Sequence, residues 1–126
     1  MSTRQRLEPT AAHPITIEPS PPVRVLLAGR VIAETADALV LREAQYAPVT
    51  YIPLEAVDPA VLQPSDHQTY CPFKGDASYY SLASASGTIE NAVWTYTDPY
   101  EAVAQIAGQV AFYPQHVRIE TAPAVG

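Results

Sequence analysis

Thr69 to Ser81 concentrates the residue types that can do chemistry. The stretch holds the only cysteine, Cys71, the only lysine, Lys74, and three of the eight tyrosines, Tyr70, Tyr79 and Tyr80. A thiol becomes a nucleophile once a base or a nearby positive charge draws off its proton. His67 is the nearest base in sequence, but along an extended strand it lies about 13 Å from Cys71. That is too far for a hydrogen bond, so Cys71 reads first as a small packed hydrophobe. His13 or His116 would reach it only through tertiary folding. Lys74, the only ammonium side chain in a protein of net charge −6, suits an anionic ligand, or a simple pair with Asp76.

Two acids and a set of rings complete the candidates. Arg42 and Glu43 are neighbours in a strand-forming run and point to opposite faces. Either one of them turns inward and needs a partner, or the pair marks a strand end in water. Glu90 and Trp94 share one face of a later strand about 13 Å apart, as if at two ends of a groove. Tyr79, Tyr80, Trp94 and Tyr96 supply apolar rings with polar tips, which suits either a pocket wall or a tyrosine-rich sheet. The candidate ligand-binding set is therefore Lys74, Cys71, Tyr79, Glu90, Trp94 and Glu43, with no catalytic assignment. One Cys and three scattered His lack zinc-ligand spacing, so neither a metal nor another cofactor is expected.

The elements that must position these residues read as β-strands. Lys74-Gly75 is a turn signal between two β-rich runs, which predicts a hairpin with Lys74 exposed at its tip. A two-residue turn sets Tyr70 opposite Tyr79 and Cys71 opposite Ser78, although a wider loop over Cys71 to Asp76 is the alternative. On the two-residue reading, Lys74→Met leaves the fold intact. Val23–Ala28, Val31–Thr35, Leu39–Glu43 and Val49–Ile52 follow at close spacing, as in an antiparallel meander. Thr88–Tyr96 is the longest strand candidate. One helix is expected over Pro99–Ala107, with Asp98 as N-cap, Glu101 completing a capping box and Gly108 at the end. The fold expected is mainly β: an antiparallel rolled sheet or two-layer sandwich with one short C-terminal helix.

Domain limits follow from proline and length. Residues 1–22 carry Pro9, Pro14, Pro19, Pro21 and Pro22, which predicts a flexible arm, or alternatively a strap pairing through Ile15–Ile17 at a sheet edge. Residues 23–120 form a single β-rich domain, and 121–126 a fraying tail. Scattered Lys and Arg with no basic run argue against nucleic acid. No apolar stretch approaches the roughly 20 residues of a membrane span. A single cysteine and polar residues after Met1 favour the cytoplasm.

Taken together, these motifs are similar to a known bacterial family. Cys71-Pro-Phe-Lys-Gly-Asp-Ala-Ser-Tyr79, Glu90-Asn-Ala-Val-Trp94 running on to Tyr96 and Asp98-Pro99, and Gly108 to Tyr113 resemble the domain of unknown function 427. His13-Pro-Ile-Thr-Ile-Glu-Pro19 and Tyr51-Ile-Pro53 resemble it too. The resemblance implies a small, mostly β domain, for which the label "nucleotidyltransferase" is in use. The residues lend that label little: there is no glycine-rich phosphate loop and no close Asp pair for metal ions. Three functions follow. The first is a small-ligand-binding or enzyme-like domain with its pocket near the Cys71–Tyr79 hairpin and an unknown, anionic small molecule as partner. The second is a structural or interaction module that pairs as a homodimer. The third is the nucleotidyltransferase.

Overall fold

The computed structural model describes residues 5–122. They form a mainly β fold of two antiparallel sheets, both open. The larger sheet runs in the order β1 (Ile15–Pro19), β4 (Leu39–Glu43), β5 (Val49–Pro53), β9 (Gln109–Phe112), β8 (Gly87–Thr95), β7 (Gly75–Ser84) and β6 (Leu62–Cys71). The smaller has β2 (Val23–Leu27) between β10 (Arg118–Thr121) and β3 (Arg30–Thr35).

Side chains alternate across a strand, and here the alternation feeds two cores. Ile52, Leu82, Val93, Val110 and Phe112 leave one face of the large sheet and pack against Val23, Val25 and Ile32 of the small one. Tyr51, Tyr79, Ala111 and Tyr96 leave the other face and form a second cluster with Leu41, Val103 and Ile106. Neighbours in sequence thus divide between the clusters: Tyr51 from Ile52, and Ala111 from Val110 and Phe112. This second face holds the candidate site.

Four expectations need correction. First, of the two readings of residues 1–22, the flexible arm gives way to the sheet-edge strap: the segment contains β1, which pairs with β4 from Ile15↔Glu43 to Pro19↔Leu39. Upstream of it, Leu7 N–H donates to the Pro72 carbonyl (2.9 Å) and Tyr70 Oη to the Gln5 carbonyl (2.7 Å). Residues 5–14 therefore cross from the β6–β7 turn to the β1–β4 edge. The sequence understated this because prolines bar a segment from interior strands but not from an edge. Residues 1–4 of that segment, and 123–126 of the expected tail, lie outside the described residues, while Thr121 ends β10.

Second, the β6–β7 turn is wider than two residues. Cys71 pairs with Gly75 and Tyr70 with Asp76, so Pro72, Phe73 and Lys74 make the loop. Tyr70 is therefore not opposite Tyr79, which pairs with Ser65 beyond a bulge. Pro72 has no N–H to give a ladder, and the loop is where that lack is harmless. Gly75 sits at φ +107°, and the Asp98–Tyr100 backbone passes close to it.

Third, Lys74 is buried, only 7% exposed, with its backbone carbonyl accepting from Tyr100 N–H at 3.0 Å. Fourth, the capped α-helix does not form. Glu101–Ile106 is a pair of 3₁₀ turns broken at Val103, and Tyr100, without a side-chain cap, stands where Asp98 was expected. The 98–100 backbone is committed to the Lys74 loop, which leaves no room for a regular first turn. The apolar content of the prediction survives: Val103 and Ile106 are fully buried.

Candidate functional site

Glu43 is the last residue of β4, and its side chain turns onto the second-cluster face while Arg42 points out to Glu18 (2.7 Å). Two groups from distant parts of the chain meet at this carboxylate. Lys74 Nζ forms an ion pair with Oε1, and His13 Nε2 lies 2.7 Å from Oε2. Lys74 also donates toward Cys71 Sγ at 3.8 Å. Burial alone would push the Glu43 carboxyl up. The hydrogen bonds and charges of Lys74 and His13 outweigh it and hold the group below its ordinary value.

Local structure explains how His13 arrives. Thr10 and His13 exchange backbone hydrogen bonds around a tight turn (3.2 and 3.1 Å), and Ala44 N–H donates to Pro14 O (2.8 Å). The imidazole then stacks on the Phe73 ring, 4.1 Å between centroids with planes 3° apart. Phe73 belongs to the same loop as Lys74, so one turn fixes both partners of the carboxylate.

The Lys74–Glu43 pair also measures the curl of the sheet. β4 and β7 are four places apart in the sheet order. At about 4.8 Å per strand a flat sheet would separate them by roughly 19 Å, beyond the reach of a direct ion pair. The large sheet must fold over on itself, and the space inside the fold is a cavity of about 190 Å³. Its rings are Tyr46, Tyr51, Tyr79, Trp94, Tyr96 and Tyr113, with Leu41 and Val49 below and the Glu43–Lys74 pair at the wall.

The rings hold one another. Trp94 Nε1 donates to Tyr51 Oη (3.2 Å), and the indole packs edge-on to Tyr51 and tilted against Tyr113 at 4.6 Å. Tyr79 Oη pairs with Thr69 Oγ1 (2.9 Å) and with Tyr113. Tyr96, 8% exposed, lines the cavity, and its Oη has no protein partner among the described residues. Burial pushes the Tyr51 and Tyr113 hydroxyls up to about 12, Tyr113 with help from its bond to Tyr79, and burial pushes Tyr96 up as well.

Of the six candidates, Lys74, Glu43, Tyr79 and Trp94 come together at the cavity, and Cys71 packs beside it. Glu90 does not: it is exposed on β8 and absent from the cavity wall. Asn91, at φ +53°, marks a bulge in β8 that breaks the simple alternation on which the Glu90–Trp94 groove relied. Tyr80 belongs to the opposite face, against the first core. His67 packs on Tyr79 and His13 reaches Glu43, so neither serves Cys71. Sequence reasoning missed His13, Tyr46, Tyr51 and Tyr113 as site residues. His13, Tyr51 and Tyr113 do lie inside the motifs that carried the resemblance, and that was the available signal.

Such a molecule is a curled, open antiparallel β-domain with an aromatic cavity and an ion-paired carboxylate in its wall. Among the described residues, no three His, Cys, Asp or Glu side chains gather as a metal site, and no helix is long and apolar enough to cross a membrane. The chain belongs to the family described as Domain of unknown function (DUF427), whose model matches residues 16–123. No curated protein matches it.

Proposed function

We propose that the domain binds a small molecule in the cavity beside Lys74 and Glu43, and that Glu43 contacts it or exchanges a proton with it. The observation that supports this is the Lys74–Glu43 pair in the wall of one aromatic cavity, with His13, from a third distant stretch, on the other Glu43 oxygen. Buried charges are costly unless function or pairing retains them. A pocket with an apolar lining and a few convergent polar groups is the usual form of a ligand site. At about 190 Å³ it suits a molecule smaller than the drug-sized ligands of typical pockets, which take about 300 Å³ or more.

A panel of small carboxylates, phosphates, amines and nucleotides, read by thermal shift, tests the proposal. A ligand at about 100 times its Kd adds about 2.7 kcal/mol, worth several degrees of Tm in a domain of this size. Glu43→Gln should reduce that shift. A panel that stabilises nothing removes the binding reading. The interaction-module reading has one feature in its favour, Tyr46, 71% exposed at the cavity rim. A concentration-dependent dimer abolished by Tyr46→Ser would support it instead. Nucleotides with magnesium belong in the same panel, as the arm that tests nucleotidyl transfer.

A further inference from the structure

Resting on the binding reading above, we infer that the cavity takes a single-ring molecule bearing an sp² oxygen acceptor, a carboxylate or a carbonyl. Size sets the first limit. An apolar cavity of about 150 Å³ holds one benzene molecule. The cavity here, about 190 Å³, leaves room for a ring and a head group of two or three heavy atoms. Aromatic side chains on several sides give such a ring flat faces to stack against.

The head group follows from the unused hydrogen-bonding capacity. An ammonium carries three donors. Lys74 spends one on Glu43 Oε1 and one, weakly, on Cys71 Sγ, which leaves a third. Tyr96 Oη has no protein partner among the described residues, though the residue is more than nine-tenths buried and lines the cavity. Tyr51 Oη accepts from Trp94, so its own proton is still available. Burial pushes both phenols up, so each keeps that proton at neutral pH.

The acceptors are differently placed. Each Glu43 oxygen already accepts once, one from Lys74 and the other from His13, which leaves one lone pair apiece as the wall's charged acceptor capacity. The cavity therefore offers a surplus of donors. An aromatic box would also attract a cation, but the one carboxylate in its wall, Glu43, is already paired with the Lys74 ammonium, so a cation would find no uncompensated negative charge there. An oxygen acceptor meets donors that are already oriented and needs no existing contact to break.

Trp94 is the only tryptophan and lines the cavity, so its indole N–H resonance reports on occupancy directly. The probes are benzoate, benzamide, benzylammonium and benzene, titrated against the full-length chain. Benzoate or benzamide should shift the Trp94 signal with a Kd at least about tenfold tighter than benzene or benzylammonium, the size of one hydrogen bond to a charged partner. The better of the two identifies the head group as carboxylate or carbonyl. Tyr96→Phe removes one hydroxyl and keeps the ring, so it should weaken the better probe about tenfold and leave benzene within about twofold. Benzene or benzylammonium binding as tightly as the acceptor probes would overturn the acceptor inference and leave the pocket standing. If no ring-sized probe moves Trp94, the ligand class is wrong, and the wider thermal-shift panel then decides separately whether the pocket binds anything. Should Tyr96→Phe fail to fold, the ranking of the four probes on the wild-type protein is decisive by itself.

Discussion

Replacing Lys74 by methionine separates two accounts of the β6–β7 turn. A lysine at an exposed tip contributes within about ±0.5 kcal/mol. In the structure its side chain is only 9% exposed and its partner, Glu43, 14%. Removing one member of a buried pair leaves the other charge uncompensated and costs about 3–5 kcal/mol. His13 stays on Oε2 at 2.7 Å and relieves part of that, which puts Lys74→Met at the lower end, about 3 kcal/mol. Methionine has nearly the same length and no charge, so lost packing adds little.

Urea denaturation reads this directly. With a slope of about 2 kcal/mol/M the midpoint should fall by about 1.5 M. Adding Glu43→Leu should recover most of the loss, because exchanging both members of a buried pair for apolar residues is often near neutral. Acidity supplies a second reading. The Glu43 carboxyl is held below its ordinary 4.5, so its contribution is complete above that pH and is lost as pH falls through the lowered value. Lys74→Met should flatten this acid limb. A single mutant within about 0.5 kcal/mol of wild type, or a double mutant no better than the single, would refute the buried-pair account.

Three further outcomes are expected. Gly75→Ala should cost about 1–2 kcal/mol in the same assay, because φ +107° is costly for any residue with a Cβ even though the nearest atom, Asp98 O, is a tolerable 3.6 Å away. Tyrosinate absorbance should show Tyr51 and Tyr113 still protonated past pH 10 and ionising only near 12. In an unfolded chain they ionise near 10, so stability should fall between those values as pH rises. Cys71→Ser should lower stability by about 1 kcal/mol and leave cavity binding within about twofold, since the thiol packs with the second cluster beside the cavity; rapid alkylation of the folded protein would contradict this.

What the sequence disclosed was local. Strand runs, the apolar positions Val103 and Ile106, and the concentration of chemistry at Cys71–Tyr79 all follow from composition and period over a few residues. Turn width was less accessible. Lys74-Gly75 looks like a two-residue turn in isolation, but the loop's geometry is decided by the Asp98–Tyr100 backbone lying across Gly75, more than twenty positions away. The same contact diverted the 98–107 segment from the helix that its caps favoured, a case of tertiary packing overriding local signals. Glu90 was misplaced for a related reason: the bulge at Asn91 depends on Ser81 Oγ accepting its N–H (3.1 Å), and nothing within the strand announces that partner.

The site itself is the least local feature of the fold. Glu43, Lys74 and His13 are held together by a sheet that curls through four strand places and by residues 5–14, which bridge the loop after β6 to the edge at β1. An ion pair in that position is weak evidence for added stability, since burying two charges consumes most of what their attraction returns. What it does secure is geometry: Lys74 is drawn off the loop and into the cavity wall, Glu43 is fixed between two donors, and Phe73 presses the imidazole flat. The aromatic cavity and its charged wall thus depend on one another. The rings supply the low-dielectric surroundings in which the pair is strong, and the pair keeps closed the curl that brings the rings together.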